Sequence, residues 1–459
     1  MTRIDILPDD VLLEIFDFYV GMRSWYKGKP GVEEWQSLVH VCRRWRGLVL
    51  ESPRRLNLQL CCTPKKSPKD ALDVWPALPL IVRGNITPSS GTDNIIAALG
   101  QSDGVCRVQL WGLTDLQLEE VLAVMQVPFQ ELTDLRLRQR SVGETMPTIP
   151  DSFLNGSAPR LRSFTLSGIP FPGLPKLLLS ATHLVYLYLW KIPHSGYISP
   201  KAILALISGL SSLESLTIEF QSPQSRPGRE TRRHPPLQCS VIPALRTFHV
   251  KGAIEYLEDL VTGIDTPQLD KMQIAFFNQI DFDTPRLSQF INCTPKLGKR
   301  DATVQFGDNF ARIQLSPGIL EIAISCRETD WQLSSIEQVC NSSLHPLSTV
   351  EDLYIEHQYR QLVWKDDGIE DILWLQLLVP FTAVKNLYLS EEFAPGIAAS
   401  LQELVGNRIT KVLPGLENIF VKGLEPTGPF QEKIGQFVAA RQLFHNTITV
   451  SAWDGLRGG

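Results

Sequence analysis

Hydrophobic residues recur at helical spacing twice within the first fifty residues. The first stretch runs from Leu7 to Val20, where Pro8 suits a first helical turn and Asp9 and Asp10 complement the helix dipole. The second stretch runs from Trp35 to Ser52. The apolar stripes are Val11, Leu12, Ile15, Phe16 and Tyr19 in the first stretch and Leu38, Val41, Cys42, Trp45, Leu48 and Val49 in the second. The spacing predicts two amphipathic helices, and helices this short leave apolar surface for the rest of the chain or for a partner.

From about residue 105 onward the chain repeats the pattern aliphatic-x-x-hydrophobic-x-aliphatic. The copies begin at Val105, Leu132, Leu161, Leu184, Leu213, Leu245, Leu269, Ile319, Val350, Val384 and Leu416. Most successive copies begin about 23 to 34 residues apart, and the gap of about 50 after Leu269 is predicted to contain a degenerate copy around 301–306. Alternation inside each copy predicts a short strand with one buried face. Intervening segments such as 199–210 and 397–409 have helical patterns.

Each strand-plus-helix copy is too small to fold alone, so we expect the copies to stack. Stacking predicts an α/β solenoid with a parallel sheet on its concave side and helices outside. This array is predicted to span 53–459 and to follow a helical motif at 1–52 without a flexible linker, ending in a helix at 430–444 and a strand at 447–453 that cap it. Unrelated strands and helices of an α/β enzyme are the alternative, because short apolar runs are ambiguous.

Composition favours a folded protein that binds neither nucleic acid nor a membrane. Hydrophobic residues make up 43% of the 459 residues and charged residues 20%. The net charge of −5 and the sequence pI near 6.0 provide no broad basic field. The longest apolar run, 372–381, is too short to span a bilayer. Because the eight cysteines are scattered and the N-terminus lacks an apolar signal stretch, we expect a cytoplasmic or nuclear location.

Motifs of catalytic or metal sites are missing from the sequence. The eight histidines have no metal-ligand spacing, and there is no G-x-S-x-G, phosphate loop or G-x-G-x-x-G after a strand. Cys42 lies beside Arg43 and Arg44, as a nucleophile could, but its place on an apolar stripe favours a packed thiol. We therefore predict no catalytic residue, no metal and no cofactor.

The order LPDDVLLEIF followed by LVHVCRRW resembles the F-box, a helical motif that binds a Skp-type adaptor of a cullin-RING ubiquitin ligase. The residues that carry the resemblance, and that it implies hold the motif or meet the adaptor, are Leu7, Pro8, Leu12, Ile15, Val41, Cys42 and Trp45. The segment 21–34 is longer than the usual F-box loop, which leaves the angle between the helices open. The alternative is a helical hairpin that caps the fold and binds nothing.

The repeat resembles irregular leucine-rich repeats, with subtype and curvature left open, and the whole layout resembles the F-box proteins with such repeats found in mushroom-forming fungi. This resemblance implies a non-catalytic substrate-recognition subunit of an SCF-type ubiquitin ligase. The F-box would bind the adaptor and through it the cullin-RING complex, and the repeats would bind a protein substrate. The alternatives are a repeat-based interaction scaffold without a ubiquitin role and an enzyme of unrecognised type.

The positions between and just after the buried aliphatics of each strand should point toward the concave side. The predicted substrate-binding residues there are Arg107, Trp111, Arg136, Arg138, Tyr186, Tyr188, Trp190, Tyr354, Glu356, Tyr388 and Phe420. Aromatic residues with arginine at one end and carboxylates at the other are typical of protein-recognition surfaces. The alternative is that about half of the tyrosines and tryptophans pack under a helix or loop.

Two further segments are predicted to be structurally passive. The basic, proline-bounded insertion 225–236 is read as a solvated loop, with a contact to phosphate or an acidic partner as the alternative. The chain ends in LRGG at 456–459, which resembles the tail of ubiquitin-like modifiers, but no β-grasp domain is predicted before it. We therefore expect a frayed terminus.

Overall fold

The computed structural model describes residues 6–26, 35–66, 68–75, 78–87, 91–140, 147–223, 239–278, 282–294, 296–297, 300–342, 344–358, 371–404, 408–424, 429–444 and 446–454. The predictions for most of the loop 21–34, for the insertion 225–236 and for the terminal LRGG lie outside the described residues. The chain divides into two compact units, which we call unit 1 (1–197) and unit 2 (198–459).

Unit 1 opens with three helices where two were predicted. They are α1 (Asp9–Tyr26), α2 (Trp35–Val39) and α3 (Arg43–Glu51). The predicted second helix is interrupted because Cys42 has an extended backbone, and its Sγ accepts a hydrogen bond from the backbone N–H of Trp45 as the N-cap of α3. The expectation that Cys42 packs as a buried thiol on the apolar stripe is therefore wrong, because its side chain is exposed.

The three helices are tied to one another and to the sheet of unit 1. Phe16 packs on Trp45 with ring centroids 4.6 Å apart, and the Arg44 guanidinium donates to Asp9 and to the carbonyl of Leu7. The buried Trp35 donates from Nε1 to a backbone carbonyl just before the first strand, that of Gln59, at 3.0 Å. The segment 52–59 between α3 and the first strand is therefore anchored to the helical motif by this bond.

The sheet of unit 1 is parallel, and its strands follow one another in chain order. The strands are β1 (Leu60–Cys62), β2 (Leu80–Asn85), β3 (Val105–Leu113), β4 (Asp134–Gln139), β5 (Ser163–Ser167) and β6 (Tyr186–Ile192). The helices between them are α4 (Pro68–Val74), α5 (Asp93–Leu99), α6 (Asp115–Val124) and α7 (Leu174–Leu178). Helix α5 packs against β2 and α6 against β3, so the buried aliphatics of the strands face the helices. The opposite face of the sheet, which we call the open face, carries the polar and aromatic positions.

Unit 2 continues the same alternation with a larger sheet. The strands of unit 2 are β7 (Ser215–Phe220), β8 (Ser240–Val241), β9 (Thr247–Gly252), β10 (Ile264–Asp265), β11 (Lys271–Phe277), β12 (Asp301–Gly307), β13 (Phe310–Ser316), β14 (Ile319–Ser325), β15 (Asp352–His357), β16 (Asn386–Leu389), β17 (Asn418–Lys422) and β18 (Thr449–Trp453). Of these, β8 and β10 pair with each other in a separate two-stranded sheet. The helices of the unit are α8 (Pro200–Ile207), α9 (Ile254–Thr262), α10 (Pro285–Cys293), α11 (Thr329–Ser342), α12 (Asp371–Leu378), α13 (Ala394–Gln402) and α14 (Pro429–Gln442). The predicted final helix and closing strand correspond to α14 and β18.

One segment of unit 2 departs from the predicted repeat. The strands run in the order β7-β9-β11-β14-β13-β12-β15-β16-β17-β18, and β13 is antiparallel to both of its neighbours. The strand predicted around 301–306 is present as β12, which follows helix α10 and pairs in parallel with β15. The inserted antiparallel strand β13 departs from the predicted parallel sheet. The links at 308–309 and 317–318 have two residues each, which is enough for a hairpin but far too short for a parallel crossover.

The helices of unit 2 form a second layer that is joined by buried polar contacts. Consecutive helices pack against each other from α8 to α10 and from α11 to α14. Glu258 of α9 accepts from the backbone N–H groups of Arg286 and Leu287, and so caps the start of α10. The fully buried Arg441 of α14 donates to the carbonyls of Val412 and Leu413, both at 2.7 Å, and burial lowers its pKa. These contacts satisfy backbone groups that would otherwise be buried without partners.

The end of β3 depends on a glycine. Gly112 has a φ of +74°, and a Cβ at this position would lie 2.8 Å from the carbonyl oxygen of Ile86. Here the pairing of β3 with β4 shifts by one residue between Trp111 and Leu113. Gly112 therefore lets Trp111 stay on the open face while Leu113 enters the core.

We predict that Gly112→Ala lowers the free energy of unfolding by about 2 kcal/mol or more, because an alanine there combines a positive φ with a backbone clash. Gly47→Ala is the matched control, because Gly47 lies in helix α3 of the same unit and its Cβ would meet nothing closer than 3.9 Å. That change should be neutral or stabilising by up to about 1 kcal/mol. Denaturant unfolding followed by circular dichroism measures both, and equal losses of stability would contradict the role given to Gly112.

Candidate interaction surfaces

Helix α1 carries two separate apolar faces. Leu12 and Phe16 are fully buried against the rest of the motif. Val11, Ile15 and Phe18 follow the spacing i, i+4, i+7 on another stripe, and they are 37%, 45% and 66% exposed. Ile6, just before the helix, is 75% exposed, and Val41, in the turn between α2 and α3, is 57% exposed. We call these five exposed residues the apolar patch of the motif.

The residues predicted to hold the motif or to meet an adaptor therefore divide into two groups. Leu12 is buried, and Leu7 and Trp45 are half-buried, which suits residues that stabilise the motif. Pro8, Ile15, Val41 and Cys42 are exposed, so they are available to a partner. Sequence reasoning missed Ile6 and Phe18 and assigned Val11 to the same stripe as Leu12. The one-residue offset between Val11 and Leu12 was the available signal, since adjacent residues of a helix point about 100° apart.

The open face of unit 1 brings its predicted residues into register. Arg136 of β4 lies level with Thr165 of β5 and Tyr188 of β6. One step further along the strands, a second row contains Trp111, Arg138, Ser167 and Trp190. Both rows contribute to one groove of about 470 Å³, to which Lys191 also contributes. Arg107 and Tyr186 lie on the same face at the neighbouring level of the sheet and do not line the groove.

Small side chains on β5 create this groove. Thr165 and Ser167 form its floor, between the arginines of β4 and the aromatic residues of β6. The indoles of Trp111 and Trp190 belong to strands three spacings apart, which places their backbones about 14 Å from each other. The groove is open, because Arg138 and Trp190 are both exposed. The arginines and aromatic residues on either side of the groove were predicted from the sequence, whereas Thr165 and Ser167 between them were not.

Charges in this groove are unevenly paired. Arg136 makes two hydrogen bonds of 3.0 Å to the carboxylate of Asp134, which also accepts from Gln109. The guanidinium of Arg83 lies over the ring of Trp111, 5.3 Å from its centroid. The guanidinium of Arg138, by contrast, makes no hydrogen bond or ion pair with any residue that the structure describes. Among the residues described, the groove therefore presents a cationic group without an acidic partner.

The open face of unit 2 carries a column of aromatic rings. Tyr354 stacks on Tyr388 with centroids 4.3 Å apart and planes 9° apart, and Tyr388 stacks on Phe420 at 4.7 Å and 12°. Trp453 of β18 packs across Tyr354 and Tyr388 at 5.9 and 5.4 Å. The three aromatic residues predicted for this face do meet, because they occupy one register level of neighbouring strands. Trp453 was missed, although the sequence had predicted its strand.

The two tyrosines of the column are held in their neutral form. Burial raises the pKa of Tyr354 to about 12, and the adjacent Tyr388 and Asp352 act in the same direction. Burial also raises the pKa of Tyr388, with Asp352 adding to the effect. At neutral pH the column therefore offers uncharged aromatic surface.

Polar side chains on either side of the column are already paired. A ladder of hydrogen bonds runs from Asn386 to Asp352 at 2.6 Å, from Asn418 to Asn386 at 2.8 Å, and from Thr449 to Asn418. Glu356, a predicted substrate-binding residue, accepts from Gln305 at 2.9 Å. These contacts hold neighbouring strands level with each other, and they engage the carboxylates that the sequence had assigned to a partner.

Further along this face, the middle strands form a second network. Arg312 donates to Gln305 at 2.8 Å and pairs with Glu321 at 3.6 Å, while Gln273 donates to Glu321 at 3.2 Å. His249 lies level with Gln273, and burial lowers its pKa. Because the lowered pKa keeps His249 neutral at pH 7, this residue adds no positive charge to the network.

Within the described part of the chain, no group of three or more His, Cys, Asp and Glu side chains is arranged to hold a metal ion. No helix in the same ranges combines the length and the hydrophobicity needed to cross a bilayer.

Comparisons with known proteins give low similarities. No protein-family model matches the chain, and no curated protein matches it. One similar solved structure is the leucine-rich repeat-containing protein LegL7 from Legionella pneumophila, with 11% identity and a TM-score of 0.32 over 77% of this chain and 96% of that one. Another is the complex of Rad7 and Elc1 in yeast, with 12% identity and a TM-score of 0.31 over 90% of this chain and 88% of that one. Similarity at this level carries no functional argument.

We predict that Tyr388→Ala lowers the free energy of unfolding of unit 2 by about 1 to 3 kcal/mol, because it removes the central ring of the column and both of its stacking contacts. Tyr388→Phe keeps the ring and should cost less than about 1 kcal/mol. Denaturant titration of both variants is the measurement. If the phenylalanine variant were destabilised as much as the alanine variant, the hydroxyl group rather than the stack would hold the strands together.

Proposed function

We propose that this chain is the substrate-recognition subunit of an SCF-type cullin-RING ubiquitin ligase. Helices α1 to α3 bind a Skp-type adaptor, and the open faces of the repeats bind a protein substrate. The chain positions the substrate and leaves ubiquitin transfer to other subunits, so it carries no catalytic residue of its own. This role places it in the cytoplasm or the nucleus.

The observation that carries the proposal is the apolar patch of the motif. A helix that only capped the repeat would need a single apolar face, toward the sheet. Helix α1 instead buries Leu12 and Phe16 on one face and exposes Val11, Ile15 and Phe18 on another. Fully burying one such side chain contributes about 1.5 to 3 kcal/mol, so the patch can support a stable interface once a partner covers it.

The rigidity of the motif supports the same function. The patch rests on a packed layer in which Phe16 contacts Trp45, and the bonds of Arg44 to Asp9 and Leu7 hold the start of α1 against α3. Trp35 then links α2 to the backbone just before β1. A surface that does not have to be ordered on binding loses less entropy when a partner docks.

The open faces of the sheets support the second half of the proposal. In unit 1 they present Trp111, Tyr188 and Trp190 together with arginine, and in unit 2 the column of Tyr354, Tyr388 and Phe420. Tyrosine, tryptophan and arginine are the residues that most often dominate binding energy at protein interfaces. Extended sheet faces of stacked repeats are also surfaces that repeat proteins use for binding.

Adaptor binding tests the proposal. We predict that the full-length chain co-purifies with a recombinant Skp-type adaptor in equimolar amount, and that Ile15→Asp and Phe18→Asp each weaken the complex by tenfold to a hundredfold. Each change removes apolar contact area and places a carboxylate in a desolvated interface. Isothermal titration calorimetry of the purified partners measures the affinities.

The control is Leu116→Asp, which makes the same chemical change at an exposed leucine in the first turn of α6. It should leave adaptor affinity unchanged. Leu12→Asp is unsuitable, because Leu12 is fully buried and its loss would unfold the motif. Absence of binding by the folded wild-type chain would refute the ligase role and favour an interaction scaffold without a ubiquitin function.

A further inference from the structure

The groove on the open face of unit 1 combines features that a purely structural surface does not need. Thr165 and Ser167 make a floor between long side chains, and Trp111 and Trp190 stand at opposite ends of one register row. Arg138 lies in the same row, adjacent to Trp111 on the neighbouring strand. An apolar and a cationic recognition element are therefore presented within one groove.

The charge of Arg138 is available because its neighbours are paired with each other. Asp134 is the carboxylate on the open-face positions of β4, and both Arg136 and Gln109 donate to it. Arg138 has no such partner among the residues described, and the exposed Lys191 adds a second cation to the lining. On the open face of unit 2, by comparison, Arg312 is engaged by Gln305 and Glu321.

We propose that this groove binds an extended segment of a partner protein through an anionic side chain. The carboxylate or phosphate of that side chain pairs with Arg138 and Lys191, and apolar side chains next to it contact Trp111 and Trp190. The inference deepens the proposed function, on which it rests, by naming the chemistry of the substrate segment. Arginine beside aromatic surface suits this ligand, because a guanidinium binds anionic oxygens through directed hydrogen bonds.

The open shape of the groove and the net charge of the protein favour an anionic peptide over other anionic ligands. The groove is open along its rim, as an extended chain requires, whereas a small metabolite is usually enclosed on most sides. A single-stranded nucleic acid would need cations along a whole track of phosphates. This groove offers two cations, Arg138 and Lys191, that have no acidic partner among the described residues, on a chain of net charge −5.

Peptide libraries with one fixed central residue test the proposal. The immobilised libraries have degenerate flanks and carry Glu, phosphoserine, Gln or Ser at the centre, and binding of the full-length chain is measured by surface plasmon resonance. The Glu or phosphoserine library should bind at least tenfold more tightly than its neutral counterpart. Whichever of the Glu and phosphoserine libraries binds more tightly identifies the anion as a carboxylate or a phosphate. Rising salt should weaken that preference.

Substitutions test whether the preference for an anionic peptide depends on the groove. Arg138→Gln should reduce this preference by tenfold or more, because the substitution removes a charge-assisted hydrogen bond and little side-chain volume. Arg54→Gln is the matched control, because Arg54 is an exposed arginine of the same unit outside the groove, and it should leave the preference intact. Trp190→Leu should weaken binding to all four libraries, since it removes an apolar wall.

Several results would overturn the inference. They are equal binding of charged and neutral libraries, no binding to any library, the same effect from Arg138→Gln and Arg54→Gln, or displacement of bound peptide by a single-stranded oligonucleotide. Adaptor affinity measured on the same preparations separates the two proposals. Arg138→Gln should retain full adaptor binding, and an anion preference in a chain that binds no adaptor would preserve this inference while refuting the ligase role.

Discussion

The register of the parallel strands is the constraint on which both candidate sheet surfaces depend. Side chains alternate between the two faces of a strand, so strand pairing alone decides which residues become neighbours on the open face. It places Trp111 beside Arg138 in unit 1 and Tyr354 beside Tyr388 in unit 2. A slip of one residue would send these side chains toward the helices and expose the aliphatics. The positive φ of Gly112 and the ladder of Asn386 and Asn418 are devices that keep this register.

The two units use their open faces differently. In unit 2, half-buried polar groups on the middle strands pair with one another, as in the contacts of Arg312 with Gln305 and Glu321. Such a network stabilises the sheet, but a ligand that competes for its members must first break existing hydrogen bonds. In unit 1 the small residues of β5 leave space above the sheet, and Arg138 makes no hydrogen bond or ion pair with the residues that the structure describes. An anionic ligand would gain a charge-assisted bond there without breaking a contact between described residues.

Sequence reasoning succeeded where a periodic pattern and a burial preference coincide. The strands and the open-face positions of Trp111, Arg138, Tyr388 and Phe420 follow from alternation, and the structure confirms them. The break at Cys42 was missed, because a capping thiol interrupts the helix without changing its hydrophobic stripe. The antiparallel segment was missed because the prediction followed the repeat pattern alone. The two-residue links at 308–309 and 317–318, which permit only hairpins, were not considered. The groove was missed because small residues such as Ser167 matter there only through the size of their neighbours on other strands.

Helix α1 shows why one hydrophobic stripe read from sequence can combine a buried face with an exposed one. Val11, Leu12, Ile15 and Phe16 satisfy one broad helical stripe, yet of these four only Leu12 and Phe16 are buried, with Phe16 packed on Trp45 of α3. The residues left outside belong to the apolar patch of the motif, and exposed patches of this kind are typical of interaction sites. Under the proposed function, stability and adaptor binding would be carried by adjacent but different residues of the same helix. This separation allows a surface substitution to remove an interaction while the packed layer of Leu12, Phe16 and Trp45 remains in place.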